Sequence, residues 1–94
     1  MKYLLLILLT AASLAFGPCG GKSDAEKSSD ALNKGLEAHL AGRLDEATTD
    51  YREALALDPQ NKFAYFNLGL IDQTQNRLDA AENNYRVAIR AKKR

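Results

Sequence analysis

Few side chains in this 94-residue chain could bind a metal or take part in catalysis. His39 is its only histidine and Cys19 its only cysteine. A zinc site normally needs three or four imidazole, thiolate or carboxylate ligands at characteristic spacings, and neither residue has such partners nearby in the sequence. We therefore predict that the chain has no metal site.

Carboxylates between residues 45 and 53 are the main candidates for acid–base chemistry. They lie near the start of a predicted helix, where the helix dipole favours negative charge, and Arg43 and Arg52 are close enough along the chain to pair with them. Thr48 and Thr49 have no neighbouring base that could activate a hydroxyl nucleophile. There is also no glycine loop of the phosphate-binding type. We predict that the chain is not an enzyme and needs no cofactor.

The N-terminus suggests a different kind of chemistry, attachment to a membrane. Met1 and Lys2 precede an uncharged, mostly apolar run over residues 3–16 that ends in small residues. This pattern is typical of an export signal, and the run is shorter than the roughly 17–25 residues of a membrane-spanning helix. We predict that residues 1–19 are an export leader, and that the rest of the chain lies in the cell envelope, outside the cytoplasm.

The position of Cys19, just after this run, resembles that of bacterial lipoproteins. In that family the cysteine becomes the lipidated first residue after cleavage, so the resemblance implies a lipid anchor at Cys19 and a flexible linker over residues 20–27. Pro18 departs from the family pattern at the bond to be cleaved. Two alternatives remain open. Cleavage after residue 15 would leave a soluble product with a free thiol, and an uncleaved leader would itself be the anchor.

The rest of the chain contains a duplicated segment. Residues 28–60 and 62–94 match at ten of 33 aligned positions, each residue pairing with one 34 positions later. The pairs are Asn33/Asn67, Gly35/Gly69, Leu36/Leu70, Arg43/Arg77, Leu44/Leu78, Asp45/Asp79, Ala47/Ala81, Tyr51/Tyr85, Arg52/Arg86 and Ala54/Ala88. A period of about 34 residues is typical of stacked helix–turn–helix units, in which neighbouring units bury each other's apolar faces.

Both copies resemble the tetratricopeptide repeat. The resemblance is carried by residues 67–69, 76–81, Tyr85 and Ala88 in the second copy, and by Gly35, residues 42–47, Tyr51, Ala54 and residues 57–59 in the first. It implies an all-α fold of two helix–turn–helix units, that is, four antiparallel helices in a short right-handed solenoid behind the apolar leader. The repeat domain is then residues 28–94, with repeats at 28–61 and 62–94. Asp72 departs from the family pattern, which usually has an aromatic residue there.

Capping and turn residues predict where the helices begin and end. The first begins after Ser23, where Glu26 completes a capping box, or after Ser29, and it ends at Gly42. The other three are predicted over residues 44–57, 62–75 and 78–92. Small residues at matching positions should let paired helices approach closely. The large residues expected to fill the space between the helices are Leu44, Tyr51, Leu55, Leu78, Tyr85 and Ile89.

In tetratricopeptide arrays the first helix of each repeat lines a concave groove. The resemblance therefore implies a partner-binding surface of Leu32, Leu36, Phe63, Phe66, Asn67, Leu70 and Gln73, flanked by His39 and Leu40. Phe63, Phe66 and Leu70 recur at three- and four-residue steps, so they share one helix stripe. This stripe is either an apolar groove for a peptide or helix, or simply core in a minimal fold. The family often uses an asparagine at the position of Asn67 to bond a peptide backbone.

Charge is unevenly distributed along the chain. Residues 22–58 contain nine acidic and five basic side chains, whereas residues 62–94 contain three acidic and seven basic ones. The basic end either complements the dipole of the last helix, contacts a membrane surface or an acidic partner, or pairs head to tail with a second copy. A near-neutral pI of about 7.8 without an aromatic and basic platform argues against nucleic acid as a partner.

Together these features predict a small envelope protein that acts as a protein–protein interaction module or assembly adaptor. An apolar concave groove would bind a protein or peptide ligand, and a lipid or the leader would hold the chain at the membrane. The alternative is a self-associating structural subunit of a membrane-bound complex, because two repeats are fewer than the three that such stacks normally need.

Overall fold

The computed structural model describes residues 21–91, and four α helices fill most of that range. They are α1 (Asp24–Leu40), α2 (Leu44–Leu57), α3 (Lys62–Thr74) and α4 (Leu78–Arg90). Helices α1 and α2 form one hairpin, α3 and α4 form the second, and α2 packs against α3. The predicted all-α stack of two helix–turn–helix units is confirmed. The predicted leader at 1–19, Cys19 within it, and the basic residues 92–94 lie outside the described residues.

Helix α1 begins at the earlier of its two predicted starts. The backbone N–H of Glu26 donates to Ser23 Oγ at 3.1 Å, and the backbone N–H of Ser23 donates to Glu26 Oε1 at 2.9 Å. This reciprocal capping box satisfies backbone donors that would otherwise have no partner within the helix. Residues 24–27 therefore belong to α1, and their assignment to a flexible linker over 20–27 was wrong.

The turns inside the two hairpins use the same backbone conformation. Gly42 has φ of 84° and Asn76, 34 positions later, has φ of 64°. The left-handed region is open to glycine at little cost and tolerated by asparagine, so both turns can reverse the chain directly after a helix. Asn61 caps α3 by accepting a hydrogen bond from the backbone N–H of Ala64 at 3.3 Å. Helix α3 ends at Thr74, one residue before its predicted end.

Each hairpin is held by a tyrosine ring packed on a glycine. A Cβ added to Gly35 would lie 2.5 Å from Cε1 of Tyr51, and one added to Gly69 would lie 2.5 Å from Cε1 of Tyr85. Only glycine lets the ring approach the backbone so closely. Tyr51 is completely buried, and its hydroxyl lies 3.0 Å from Nδ1 of His39. Burial, with a smaller effect of the Asp50 charge, raises the pKa of Tyr51 and keeps its hydroxyl protonated.

The first hairpin is covered by α3. Ala64, Leu68 and Ile71 are all buried and belong to the same core cluster as Tyr51 and Ala54. A polar contact at the end of this interface joins three elements. Ser28 Oγ donates to the carbonyl of Ala54 at 2.7 Å and accepts from Asn61 Nδ2 at 2.8 Å. Because Ser28 is fully buried, these bonds replace the water that its hydroxyl loses on folding.

Two large residues of α4 do not fill the space between helices, contrary to the sequence-based prediction. Leu78 is 58% exposed and Ile89 is 68% exposed. Leu44 and Leu55, the residues 34 positions earlier, are half-buried and pack on the core. The difference arises because α3 follows and covers the first hairpin, whereas no helix follows α4 within residues 21–91.

The departure at Asp72 is compensated by its surroundings. This carboxylate is buried, accepts from Arg77 Nη2 at 2.9 Å through Oδ1, and accepts from Asn84 Nδ2 at 2.7 Å through Oδ2. A buried charge needs such partners to offset the cost of leaving water. Asp72 therefore links α3 to the turn that precedes α4, where an aromatic residue would have packed by contact alone.

We expect Gly35→Ala to destabilise the fold more than Gly69→Ala. The new methyl at residue 35 meets the fully buried Tyr51, and such overpacking costs about 1–3 kcal/mol. Tyr85 is only half-buried and can move aside, so the gain in helix propensity of up to ~1 kcal/mol offsets much of the clash. Urea unfolding of both variants would measure the difference. Equal losses of stability would contradict this account of the two tyrosines.

Candidate functional site

The second hairpin carries an open apolar groove of about 670 Å³. We call it the aromatic groove, and its lining residues are Lys62, Phe63, Phe66, Tyr85, Ala88 and Ile89. Phe63 is 57% exposed and Phe66 is 48% exposed. The rings of Phe66 and Tyr85 lie 5.6 Å apart between centroids, so they form one continuous apolar wall across α3 and α4.

The internal repeat shows what this groove corresponds to. Each lining residue has an equivalent 34 positions earlier, and these are Ser28, Ser29, Leu32, Tyr51, Ala54 and Leu55. In the first hairpin Ser28, Tyr51 and Ala54 are completely buried, because α3 packs there. The aromatic groove therefore corresponds to the surface of the first hairpin on which α3 packs. We call this surface of each hairpin its helix seat, and the seat of the second hairpin is uncovered.

A second, smaller hollow of about 400 Å³ lies beside the first, between the start of α1, the turn before α3 and the start of α3. Its lining is more polar, and the two grooves share Lys62 and Phe63. The residues that line it are Ala25, Ser29, Leu32, Asp58, Gln60, Asn61, Lys62 and Phe63.

The apolar residues of the predicted binding surface occupy different places. Phe63 and Phe66 meet in the aromatic groove, and Leu32 meets Phe63 in the smaller hollow. Leu36 is half-buried and packs against the core, and Leu70 is half-buried without lining either groove. The structure thus joins three of the predicted apolar residues through Phe63 at the start of α3.

The two predicted polar contacts are already engaged inside the chain. Asn67 Nδ2 donates to the carbonyl of Phe63 at 2.7 Å, and Gln73 Oε1 accepts from the Tyr85 hydroxyl at 2.8 Å. The bond to Gln73 holds the hydroxyl end of the Tyr85 ring, and this ring lines the aromatic groove. For Asn67 to bond a peptide backbone, as predicted, it would have to exchange its present partner.

Comparison with known families agrees with this geometry. A family model described as "TPR repeat" matches residues 35–73, and one described as "Tetratricopeptide repeat" matches residues 64–94, so that together they span 35–94. The chain belongs to the tetratricopeptide repeat family. Repeats of this family generally mediate protein–protein interaction and are typically not catalytic. Searches of curated proteins and of solved structures each gave no significant match.

Four residues of the aromatic groove were missing from the binding surface predicted for this tetratricopeptide chain. Tyr85, Ala88 and Ile89 were assigned to the space between helices, and Lys62 was not singled out. Their position in the last hairpin was the available signal. In a stack, the residues that contact a following helix are exposed wherever no helix follows.

The aromatic groove has one cationic residue in its lining. Lys62 lies at one end, with its Nζ 5.4 Å from the centroid of the Phe63 ring, an arrangement in which the ring face attracts the ammonium. Arg86 is paired with Glu82 at 2.6 Å, whereas Arg90 makes no ion pair with any described residue. None of the six lining residues is acidic.

Across residues 21–91, no three His, Cys, Asp or Glu side chains come together in a way that could bind a metal ion. Within that range, no helix has the length and apolarity needed to cross a bilayer. His39 instead packs edge-on against Tyr51, with ring centroids 6.0 Å apart.

We expect Ile89→Asp to change the free energy of unfolding of this tetratricopeptide chain by no more than about 0.5 kcal/mol, because the side chain is mostly exposed. The matched change Leu55→Asp, 34 positions earlier, should cost about 2 kcal/mol or more, since it places a charge against the core under α3. Chemical denaturation of both variants tests the pair. A comparable loss in Ile89→Asp would mean that Ile89 is covered, and the groove would not be open.

Proposed function

We propose that this chain is a small protein-interaction module of the cell envelope, which binds a segment of a partner protein in the aromatic groove. The observation that carries the proposal is the exposure of Phe63, Phe66 and Ile89 around one concave surface. Such a cluster in water is unfavourable unless something covers it. Burying each of these side chains contributes roughly 1.5–3 kcal/mol, which is enough for a few contacts to dominate binding.

Attachment of the chain to a membrane, which we call the tether, is part of the same proposal. The apolar run at residues 3–16 and the position of Cys19 support export followed by attachment of the chain to a membrane. Since α1 begins at Asp24, only four residues separate Cys19 from the first helix. A lipid at Cys19 would therefore hold the repeats close to the bilayer, and their partner would have to be a neighbour at that surface.

A self-associating subunit is the second candidate, favoured by the same uncovered groove. Two copies could bury their apolar surfaces against each other, as symmetric dimers often do. The mass of the assembled protein should then rise with concentration, which analytical ultracentrifugation measures. A constant monomer mass would remove this candidate.

We expect crosslinked capture of the full chain from its own membranes to recover a partner protein that Phe63→Ala/Phe66→Ala loses. Both side chains line the groove and are exposed, so their removal weakens binding while the helices remain. Circular dichroism verifies the fold of the double variant. Leu40→Ala is a matched control, because Leu40 is 90% exposed but lines neither groove. Partners that survive the double change would place binding elsewhere.

The tether has its own test, the intact mass of the protein extracted from membranes. Lipidation at Cys19 predicts a chain that starts at that residue and carries added acyl mass. Changing Cys19→Ala should then release the chain from the membrane or leave it unprocessed. A product that starts at Phe16 without added mass would show cleavage after residue 15, and an unprocessed mass would show a retained leader.

A further inference from the structure

We propose that the occupant of the aromatic groove is an amphipathic helix of a partner protein that begins with an acidic residue, and that it docks on α4 as α3 docks on α2. This inference rests on the proposed function, and names the class of partner for the same site.

The first hairpin shows which kind of segment fits the seat. Helix α3 covers it with Ala64, Leu68 and Ile71, which are spaced by four and three residues and so lie on one face. The small residue sits nearest the helix start and the large ones follow. The uncovered seat has the same tyrosine and the same alanine at matching positions, Tyr85 for Tyr51 and Ala88 for Ala54. A helix with the same small-then-large face is therefore the expected shape of the ligand.

One exchange of side chains makes the two seats chemically different. In the first hairpin, Asn61 at the start of α3 donates to Ser28 Oγ at 2.8 Å. In the second hairpin Lys62 occupies the position of Ser28 and lines the groove. An ammonium donates hydrogen bonds but cannot accept them. The docking helix must therefore present an acceptor where α3 presents the amide of Asn61, and a carboxylate is the strongest choice.

An aspartate in that place would serve two purposes. Aspartate is among the preferred residues for the N-cap of a helix, because its side chain accepts from the first free backbone N–H groups. The same carboxylate would face Lys62, and the attraction between the two opposite charges would favour it there. The expected ligand thus begins with an aspartate, followed by a small residue three positions later and by larger apolar residues seven and ten positions later.

A second copy of this chain does not meet these requirements. Its α3 face is already buried against its own first hairpin. On its α1 the residues equivalent to Ala64, Leu68 and Ile71 are Asp30, Lys34 and Glu37. All three are exposed, and placing them on an apolar seat would bury charges without partners. Helix α1 thus closes the stack at its front, and head-to-tail growth from α4 onto α1 is disfavoured.

Direct binding of a synthetic helix tests the proposal. The probe is a fluorescently labelled peptide that has the sequence of residues 58–76 with the substitution Asn61→Asp. Two further substitutions, Phe66→Glu and Leu70→Lys, provide the side chains that a lactam bridge joins. The bridge lies opposite the face of Ala64, Leu68 and Ile71, and it keeps the short helix formed in water. Fluorescence anisotropy against the full chain in lipid nanodiscs measures its affinity. A second peptide carries Asn61→Lys instead of Asn61→Asp.

We expect the aspartate peptide to bind the natural chain about tenfold more tightly than the lysine peptide. In the variant Lys62→Glu this order should reverse, with the lysine peptide recovering affinity and the aspartate peptide losing about tenfold. Ile89→Asp should abolish binding of both peptides, and Leu40→Asp should change neither. Circular dichroism of each variant verifies that the helices remain.

Several results would overturn the inference. The first is a folded natural chain that does not bind the aspartate peptide. The second is equal affinity for the two peptides, and the third is binding that Ile89→Asp leaves unchanged. A concentration-dependent dimer that Ile89→Asp dissolves would assign the groove to a second copy. The proposed function has a separate outcome. If the aspartate peptide fails to bind but capture still loses its partner in Phe63→Ala/Phe66→Ala, the groove binds protein and only the acidic helix is wrong.

Discussion

The contact of a tyrosine ring with the bare backbone of a glycine sets the distance between the two helices of each hairpin. In the first hairpin the ring of Tyr51 on Gly35 is sealed in the core. In the second, Tyr85 packs on Gly69 with its inner edge, while the rest of its ring forms the wall of the aromatic groove with Phe66. The groove is thus shaped in part by the same contact that holds the hairpin together.

The groove is uncovered because no helix follows α4 within residues 21–91. Each hairpin has one face that packs on the preceding unit and one that receives the next. The front of this stack is closed by charged residues on α1, whereas its back keeps the apolar character of an internal unit. A protein built in this way exposes one apolar seat in a defined position.

Small differences between the copies give each hairpin its own chemistry. Lys62 replaces the buried hydroxyl of Ser28, and Asp72 replaces the buried methyl of Ala38. The carboxylate of Asp72 is neutralised within the fold by Arg77, at 2.9 Å. The ammonium of Lys62, in contrast, lies at the rim of the open groove. The first exchange therefore adds a positive charge to the lining of the groove, whereas the second alters only the core.

The sequence by itself determined the number and order of the four helices and located most of their ends, because capping residues and turn glycines act on the few residues around them. It left open whether α1 begins after Ser23 or after Ser29. It also contained the 34-residue period, and with it the family. It did not determine which of two equivalent side chains would be covered. Leu55 and Ile89 occupy the same place in their repeats, yet Leu55 packs on the core and Ile89 is mostly exposed. Only the tertiary structure decided this, since burial depends on whether another helix lies against that place in space.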